Sequence, residues 1–164
     1  MEAYRTVLTI NPRHPEALRE MTVGHAELGL YDDALRYATQ AIAVDPQDPR
    51  VFDNLAITLA RMKCFKEGLE AIESGLDLHP GAATLWKRKG VLATMAGDAA
   101  AGLPAFDEAA RLDPTSGEIA AMRADCLHRV GRRASRRYRC PRARRRSPGR
   151  PPARPWTRTA RRRG

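Results

Sequence analysis

Four prolines divide this chain at equal intervals. Pro12, Pro46, Pro80 and Pro114 stand 34 residues apart. Each closes a similar phrase: Val7-Leu8-Thr9-Ile10-Asn11-Pro12, Ala41-Ile42-Ala43-Val44-Asp45-Pro46, Gly75-Leu76-Asp77-Leu78-His79-Pro80 and Ala109-Ala110-Arg111-Leu112-Asp113-Pro114. Three equal steps are hard to place by accident among only 12 prolines. A fixed period of this length is the mark of a stacked array, in which no unit can bury its apolar face alone and each must cover its neighbour's.

Within each period the apolar residues recur at helical spacing. Tyr4, Val7, Leu8 and Ile10 form one face before Pro12, which cannot continue a helical hydrogen-bond ladder. Pro15 suits the first turn of a helix whose packed face is Leu18, Met21, Thr22, His25 and Leu28, with Gly29 past its end. Tyr31-Asp32-Asp33 is expected to turn the chain, with Asp32 or Asp33 capping a second helix faced by Ala34, Leu35, Ala38, Ala41 and Ile42. The plan returns as Phe52, Leu55, Ala56 and Leu59, then Gly68, Leu69, Ile72, Gly75 and Leu76. It returns again as Trp86, Gly90 and Ala93, then a turn at Gly97-Asp98, then Gly102, Leu103, Phe106 and Ala109. Pro104 is expected in the first turn of that last helix, where its missing N–H costs little. Small residues recur too: Ala34, Gly68 and Gly102, and Ala41, Gly75 and Ala109. Glycine costs up to ~1 kcal/mol against alanine in a helix, so its repetition implies close approach to a large residue on a facing helix.

These residues resemble the tetratricopeptide repeat family, whose period is 34 and whose pattern is W-x2-L-G-x2-Y…A-x3-F…P. Trp86-x2-Lys89-Gly90, Gly102-x3-Phe106 and Pro114 follow it, with Lys89 and Ala93 as departures. Leu18-x2-Met21, Ala34 and Pro46 follow it more loosely, as do Phe52-x2-Leu55-Ala56, Ile72 and Pro80. The resemblance covers about 1–131. It implies an all-α fold of antiparallel helix pairs stacked into a right-handed superhelix. The divisions are a half repeat at 1–14, repeats at 15–48, 49–82 and 83–116, and a half repeat at 117–131. In the fourth unit Ile119, Ala120, Ala124 and Leu127 continue the apolar face, and Gly131 stands 34 after Gly97.

Past Gly131 the pattern stops. The place of Leu35, Leu69 and Leu103 is taken by Arg137, and Pro141 falls where a second helix would run. The net charge of +10 divides at the same region. Residues 1–127 carry 13 Lys and Arg against 19 Asp and Glu, a net charge of −6, whereas 128–164 carry 16 arginines and no acid. A segment such as 132–164, rich in Arg and Pro, cannot bury enough apolar surface to offset its ordering entropy and is expected to be disordered. It admits three readings: a polyanion- or nucleic-acid-binding arm with Tyr138 and Trp156 available to stack, an inert solvated tail, or the product of a shifted reading frame in GC-rich DNA.

The chain holds no glycine-rich nucleotide loop, HExxH or GxSxG. Its histidines, His14, His25, His79 and His128, fall at unrelated repeat positions. Cys64, Cys126 and Cys140 are odd in number and lack C-x-x-C spacing; Cys126, His128 and Cys140 want a fourth ligand. No catalytic residue, metal or cofactor is expected. No stretch approaches the ~18–20 apolar residues of a membrane helix, and the N-terminus lacks a signal-peptide layout, so the expected location is cytoplasmic.

The remaining site is a groove. The resemblance implies that the first helix of each repeat lines the concave face, here through Arg19 and Val23, then Arg50, Asn54, Ile57 and Arg61, then Thr84, Lys87, Arg88 and Val91. Ala26, Ala60 and Thr94 are expected to leave room for a peptide. Some members of the family grip a C-terminal carboxylate with Lys and Asn, then Asn, then Lys and Arg. This chain is similar at Arg19, Asn54 and Arg88 and departs at Val23 and Thr84. The expected function is a non-catalytic scaffold that binds a peptide or helix of another protein. The alternatives are nucleic-acid or polyanion binding through the tail, or a role as part of a larger enzyme that carries such repeats.

Overall fold

A computed structural model describes residues 1–137, with side chains to 132. Eight helices follow one another among the described residues: α1 (Glu2–Ile10), α2 (Pro15–Glu27), α3 (Tyr31–Val44), α4 (Pro49–Arg61), α5 (Phe65–Leu78), α6 (Ala83–Met95), α7 (Ala99–Leu112) and α8 (Gly117–Arg137). From α2 through α7 every start and stop repeats at the 34-residue step of the prolines. Local chemistry explains why. Asp48 accepts the Arg50 N–H at 3.0 Å and caps α4, with Pro49 in the first turn. His14 Nδ1 does the same for α2 and Asp98 for α7. At the other ends Gly29, Lys63 and Gly97 occupy one repeat position and all have positive φ, at 75°, 64° and 90°. That conformation lets the next amide reach back, as Leu30 does to His25 O, Cys64 to Leu59 O and Asp98 to Ala93 O.

The even-numbered helices α2, α4, α6 and α8 each touch the next of their kind, whereas the odd-numbered helices α1, α3, α5 and α7 touch only even-numbered neighbours. A layer whose members touch lies inside a curve, and a layer whose members splay lies outside it. The even-numbered helices therefore form the concave wall.

The core runs between the layers. Leu18, Phe52, Ile72, Leu76, Leu85 and Leu92 form one buried cluster, and Ala99, Phe106 and Cys126 a second. Of the recurring small residues, Gly75 serves the close approach to a large neighbour that the spacing predicts, and Gly90, outside that series, does the same. A Cβ at Gly75 would lie 2.8 Å from Phe52 Cβ, and one at Gly90 2.8 Å from the Phe106 ring. At Gly68 the nearest atom would be 3.4 Å away, an ordinary contact.

Four local expectations are corrected. Tyr31-Asp32-Asp33 is not a turn but the opening of α3, whose N-cap is Leu30, and no side chain caps it. The turn is Leu28-Gly29-Leu30, and the two aspartates sit instead where they favour the helix dipole. Pro104 lies inside α7, at its sixth residue, past the first turn in which a missing N–H is free. Leu28, Ala120, Ala124 and Leu127 are exposed, since nothing among the described residues lies over them. Gly131 does not end a helix: α8 continues to Arg137. The rest of the 132–164 tail, including Tyr138, Cys140 and Trp156, lies outside the described residues.

Candidate functional site

The concave wall is lined by residues that recur on α2, α4, α6 and α8 at matching positions. One row is apolar: Val23, Ile57 and Val91, all half-buried, continued by Asp125 on α8. The row beside it reads Glu20, Asn54, Arg88 and Met122, and the row at the helix ends reads Glu27, Arg61, Met95 and Arg129. Ala26 is buried and contributes no open surface, while Ala60 is half-buried.

Three ion pairs in this wall hold neighbouring even-numbered helices together. Arg19 of α2 donates to Asp48 at the head of α4 at 2.9 Å, with both side chains about 15% exposed or less. Arg50 donates to both oxygens of the same carboxylate, at 2.9 and 3.1 Å. Burial pushes the Asp48 carboxyl up, but the hydrogen bonds from Arg50 and the charges of Arg50 and Arg19 outweigh it and hold the group below its ordinary value. Arg88 of α6 grips Asp53 of α4 through two parallel bonds, at 2.6 and 3.1 Å. Lys87 of α6 reaches Glu118 of α8 at 2.9 Å. Each junction in the wall is thus crossed by one ion pair.

The residues read as a carboxylate grip now have definite surroundings. Arg19 and Arg88 already hold Asp48 and Asp53, whose carboxylates occupy donors a ligand would use. Asn54, half-buried on α4, has a side-chain amide with no hydrogen bond among the described residues. Arg61, exposed at the end of the same helix, has no ion-pair partner among them. Thr84 is exposed at the start of α6. The unspent polar groups of the groove therefore centre on α4.

The even-numbered wall is less closely joined between α6 and α8 than along the rest of its length. There it opens into a cleft of about 170 Å3. Its apolar walls are Val91 and Met95 of α6, Phe106 of α7 and Met122 of α8, and Thr94, Asp125 and Arg129 complete the lining. Val91 and Thr94 are among the groove residues read from the sequence, whereas Met122, Asp125 and Arg129 are not, although they fall 34 residues after Arg88, Val91 and Met95.

No three His, Cys, Asp or Glu side chains are placed to hold a metal ion among the described residues. Buried Cys126 donates to Ala99 O at 3.0 Å, and the buried His25 ring donates to Met21 O at 2.8 Å. No described helix is long and apolar enough to cross a membrane.

No protein-family model matches the chain. Among curated proteins it is 27% identical over 140 residues to protein FlbA of Caulobacter vibrioides, covering 77% of this chain and 24% of that one. It is 26% identical over 102 residues to Hsp70-Hsp90 organizing protein 2 of Arabidopsis thaliana, covering 62% of this chain and 18% of that one. The chain thus spans about a quarter or less of the length of these relatives. Among solved structures, the yeast Sti1 TPR2B domain in complex with pHsp70 matches with a TM-score of 0.65 at 20% identity, covering 73% of this chain and 97% of that one. The first TPR of Spaghetti (RPAP3), bound to the HSP90 peptide SRMEEVD, matches with a TM-score of 0.65 at 18% identity, covering 71% and 95%.

Proposed function

We propose that this chain, a tetratricopeptide repeat protein by its fold and its matches, is a non-catalytic interaction scaffold that binds an extended segment of another protein along its concave wall. The observation that carries this reading is the row Val23, Ile57 and Val91, flanked on α4 by an amide and a guanidinium with no partner of their own among the described residues. Apolar side chains held half open along a curved wall offer burial to a ligand, and unspent polar groups beside them offer orientation. The relatives support a protein partner: one is named as an Hsp70-Hsp90 organizing protein, and two matched structures are complexes with pHsp70 and with an HSP90 peptide.

The test is a selection of random displayed dodecapeptides on the full chain, followed by anisotropy titration of the enriched peptides. Ile57→Asp should weaken them at least tenfold, because a carboxylate in the apolar row is desolvated without a partner. Enriched peptides that bind the variant as tightly as the parent, or an absence of enrichment, would overturn the groove reading. The grip formed by Arg19, Asn54 and Arg88 is tested separately. If Arg19 and Arg88 exchange Asp48 and Asp53 for a ligand carboxylate, SRMEEVD with a free C-terminus binds more tightly than its amidated twin; equal binding removes the grip.

A second reading rests on charge. The 16 arginines and no acids of 128–164 suit a polyanion, with nucleic acid recognised through phosphate rather than sequence. Truncation after Gly131 should abolish salt-sensitive binding to single-stranded DNA and leave peptide binding intact. Retained DNA binding would exclude the tail as its source.

A further inference from the structure

The two outermost helices of the described array each lack a neighbour of the opposite kind. Every odd-numbered helix from α3 to α7 lies between two even-numbered ones, whereas among the described residues α1 touches only α2. Every even-numbered helix from α2 to α6 has an odd-numbered helix on each side, whereas α8 has only α7. We infer that the open face of α8 receives α1 of a second copy, so that the two helices make a full repeat and copies join head to tail.

The residues on the open faces are those that meet inside a repeat elsewhere. Three contacts mark that seam: Phe52 against Gly75, Gly90 against Phe106, and His25 against Tyr37, whose ring centroids stand 5.0 Å apart. Steps of 34 carry these positions to Ala120 against Val7, Ala124 against Tyr4, and Leu127 against Ala3. Ala120, Ala124, Leu127 and Ala3 are exposed, and Tyr4 and Val7 only half-buried. At the positions of Tyr4 and Val7 the inner odd-numbered helices are fully buried, as Ile72 and Gly75 are on α5.

Size selects the partner. At an approach this close, a large residue fits only opposite a small one. Across the joint Ala124 meets Tyr4 as Gly90 meets Phe106, and Ala120 meets Val7 with the sizes of Phe52 and Gly75 exchanged. The Tyr4 ring and the exposed Leu127 leave water together, which drives the association. Two α8 helices brought face to face would set alanine against alanine and bury less.

Charge selects the same partner. Residues 1–48 carry eight carboxylates and four arginines, and residues 117–137 carry six arginines and two carboxylates. One end of each kind meets with opposite charge, whereas two of a kind repel. The row Glu27, Arg61, Met95 and Arg129 continues into Glu27 of the second copy, a carboxylate next after a guanidinium. Because each copy uses two different faces, growth does not stop at two. The joint lays α2 of the second copy beside α8 and carries the concave wall from one copy into the next.

Sedimentation velocity of the full chain tests the joint. The weight-average sedimentation coefficient should climb with concentration and show no plateau at the dimer. Ala124→Glu on α8 and Ala3→Glu on α1 alter exposed alanines, where folding is not at stake, and each alone should lower the association constant at least tenfold. Mixed in equal amounts, the two variants should form a dimer and nothing larger, because only the α8 of one and the α1 of the other remain intact. Ile57→Asp should associate as the parent does. A dimer that grows no further, single variants that still associate, or a mixture that stays monomeric would overturn the joint. So would a loss of association in Ile57→Asp, which puts the contact in the groove. A monomeric parent overturns it as well, and if truncation after Arg137 then restores association, residues 138–164 are what covers α8.

Discussion

At one position of the repeat the successive residues are Leu18, Phe52, Trp86 and Ala120. Leu18 and Phe52 are buried, the latter closing on Gly75 so tightly that a methyl group there would lie 2.8 Å from it. Trp86 is half-buried, with its indole N–H donating to Pro80 O at 2.8 Å and Lys89 over its ring. Ala120 is exposed. Four positions on, Ala56 and Gly90 are buried and Ala124 is exposed. The stack from α2 to α6 is therefore closed by pairs of large and small residues, whereas α8 meets α7 on another side, through Met122, Cys126 and Val130. The same helical register seals a core where a neighbouring helix covers it and stays open where no described residue does.

The largest expected effect breaks the closed end. Phe52→Ala should cost about 3–5 kcal/mol, since Gly75 leaves nothing to fill the void, while Ala120→Phe at the matching place should stay within about 0.5 kcal/mol. Urea denaturation of both variants checks the contrast, and similar costs would show that the two ends are packed alike. Glycine substitutions sharpen it. Gly75→Ala should destabilise by about 1–3 kcal/mol, whereas Gly68→Ala, with 3.4 Å of room, should be neutral or stabilising by up to about 1 kcal/mol. Pro104→Ala should raise the stability of the α6–α7 pair by about 1–3 kcal/mol by restoring a bond to Ala100 O, read as a higher midpoint.

Smaller effects concern the joints. Asp48 has a folded pKa below its unfolded one, so its contribution is present above the ordinary carboxylate range and lost as pH falls through the lowered value. Asp48→Asn should cost about 1 kcal/mol at pH 7 and nothing near pH 2, measured as the gap between the two denaturation curves. Lys63→Gly should stabilise by up to about 1 kcal/mol, because Gly29 and Gly97 show what the left-handed turn prefers. A loss of stability there would mean that the Lys63 side chain contributes more than its strained backbone costs.

Much of the fold could be read in advance. The 34-residue step located the helices, and the recurrence of a small residue at Gly75 foretold close packing against a large partner, here Phe52. What periodicity could not tell is whether a neighbour is present. Leu28, Ala120, Ala124 and Leu127 lie on the side that packs elsewhere in the array, yet they are exposed because no described residue covers them. In the groove, repeat position led to Val23, Asn54, Ile57 and Arg61. It could not show that Arg19 and Arg88 have carboxylate partners 29 and 35 residues away, on the next or preceding even-numbered helix.

The sequence by itself determined the period, the all-α character and the helix ends set by the repeated prolines and Gly29 and Gly97. These follow from local rules: proline has no N–H to donate, aspartate caps, and glycine tolerates positive φ. Tertiary structure alone decided which cations of the concave wall are paired among the described residues, and that Val91, Met95, Phe106 and Met122 surround a cleft. Those outcomes depend on distances between helices, and only the stacking of one repeat on the next sets them.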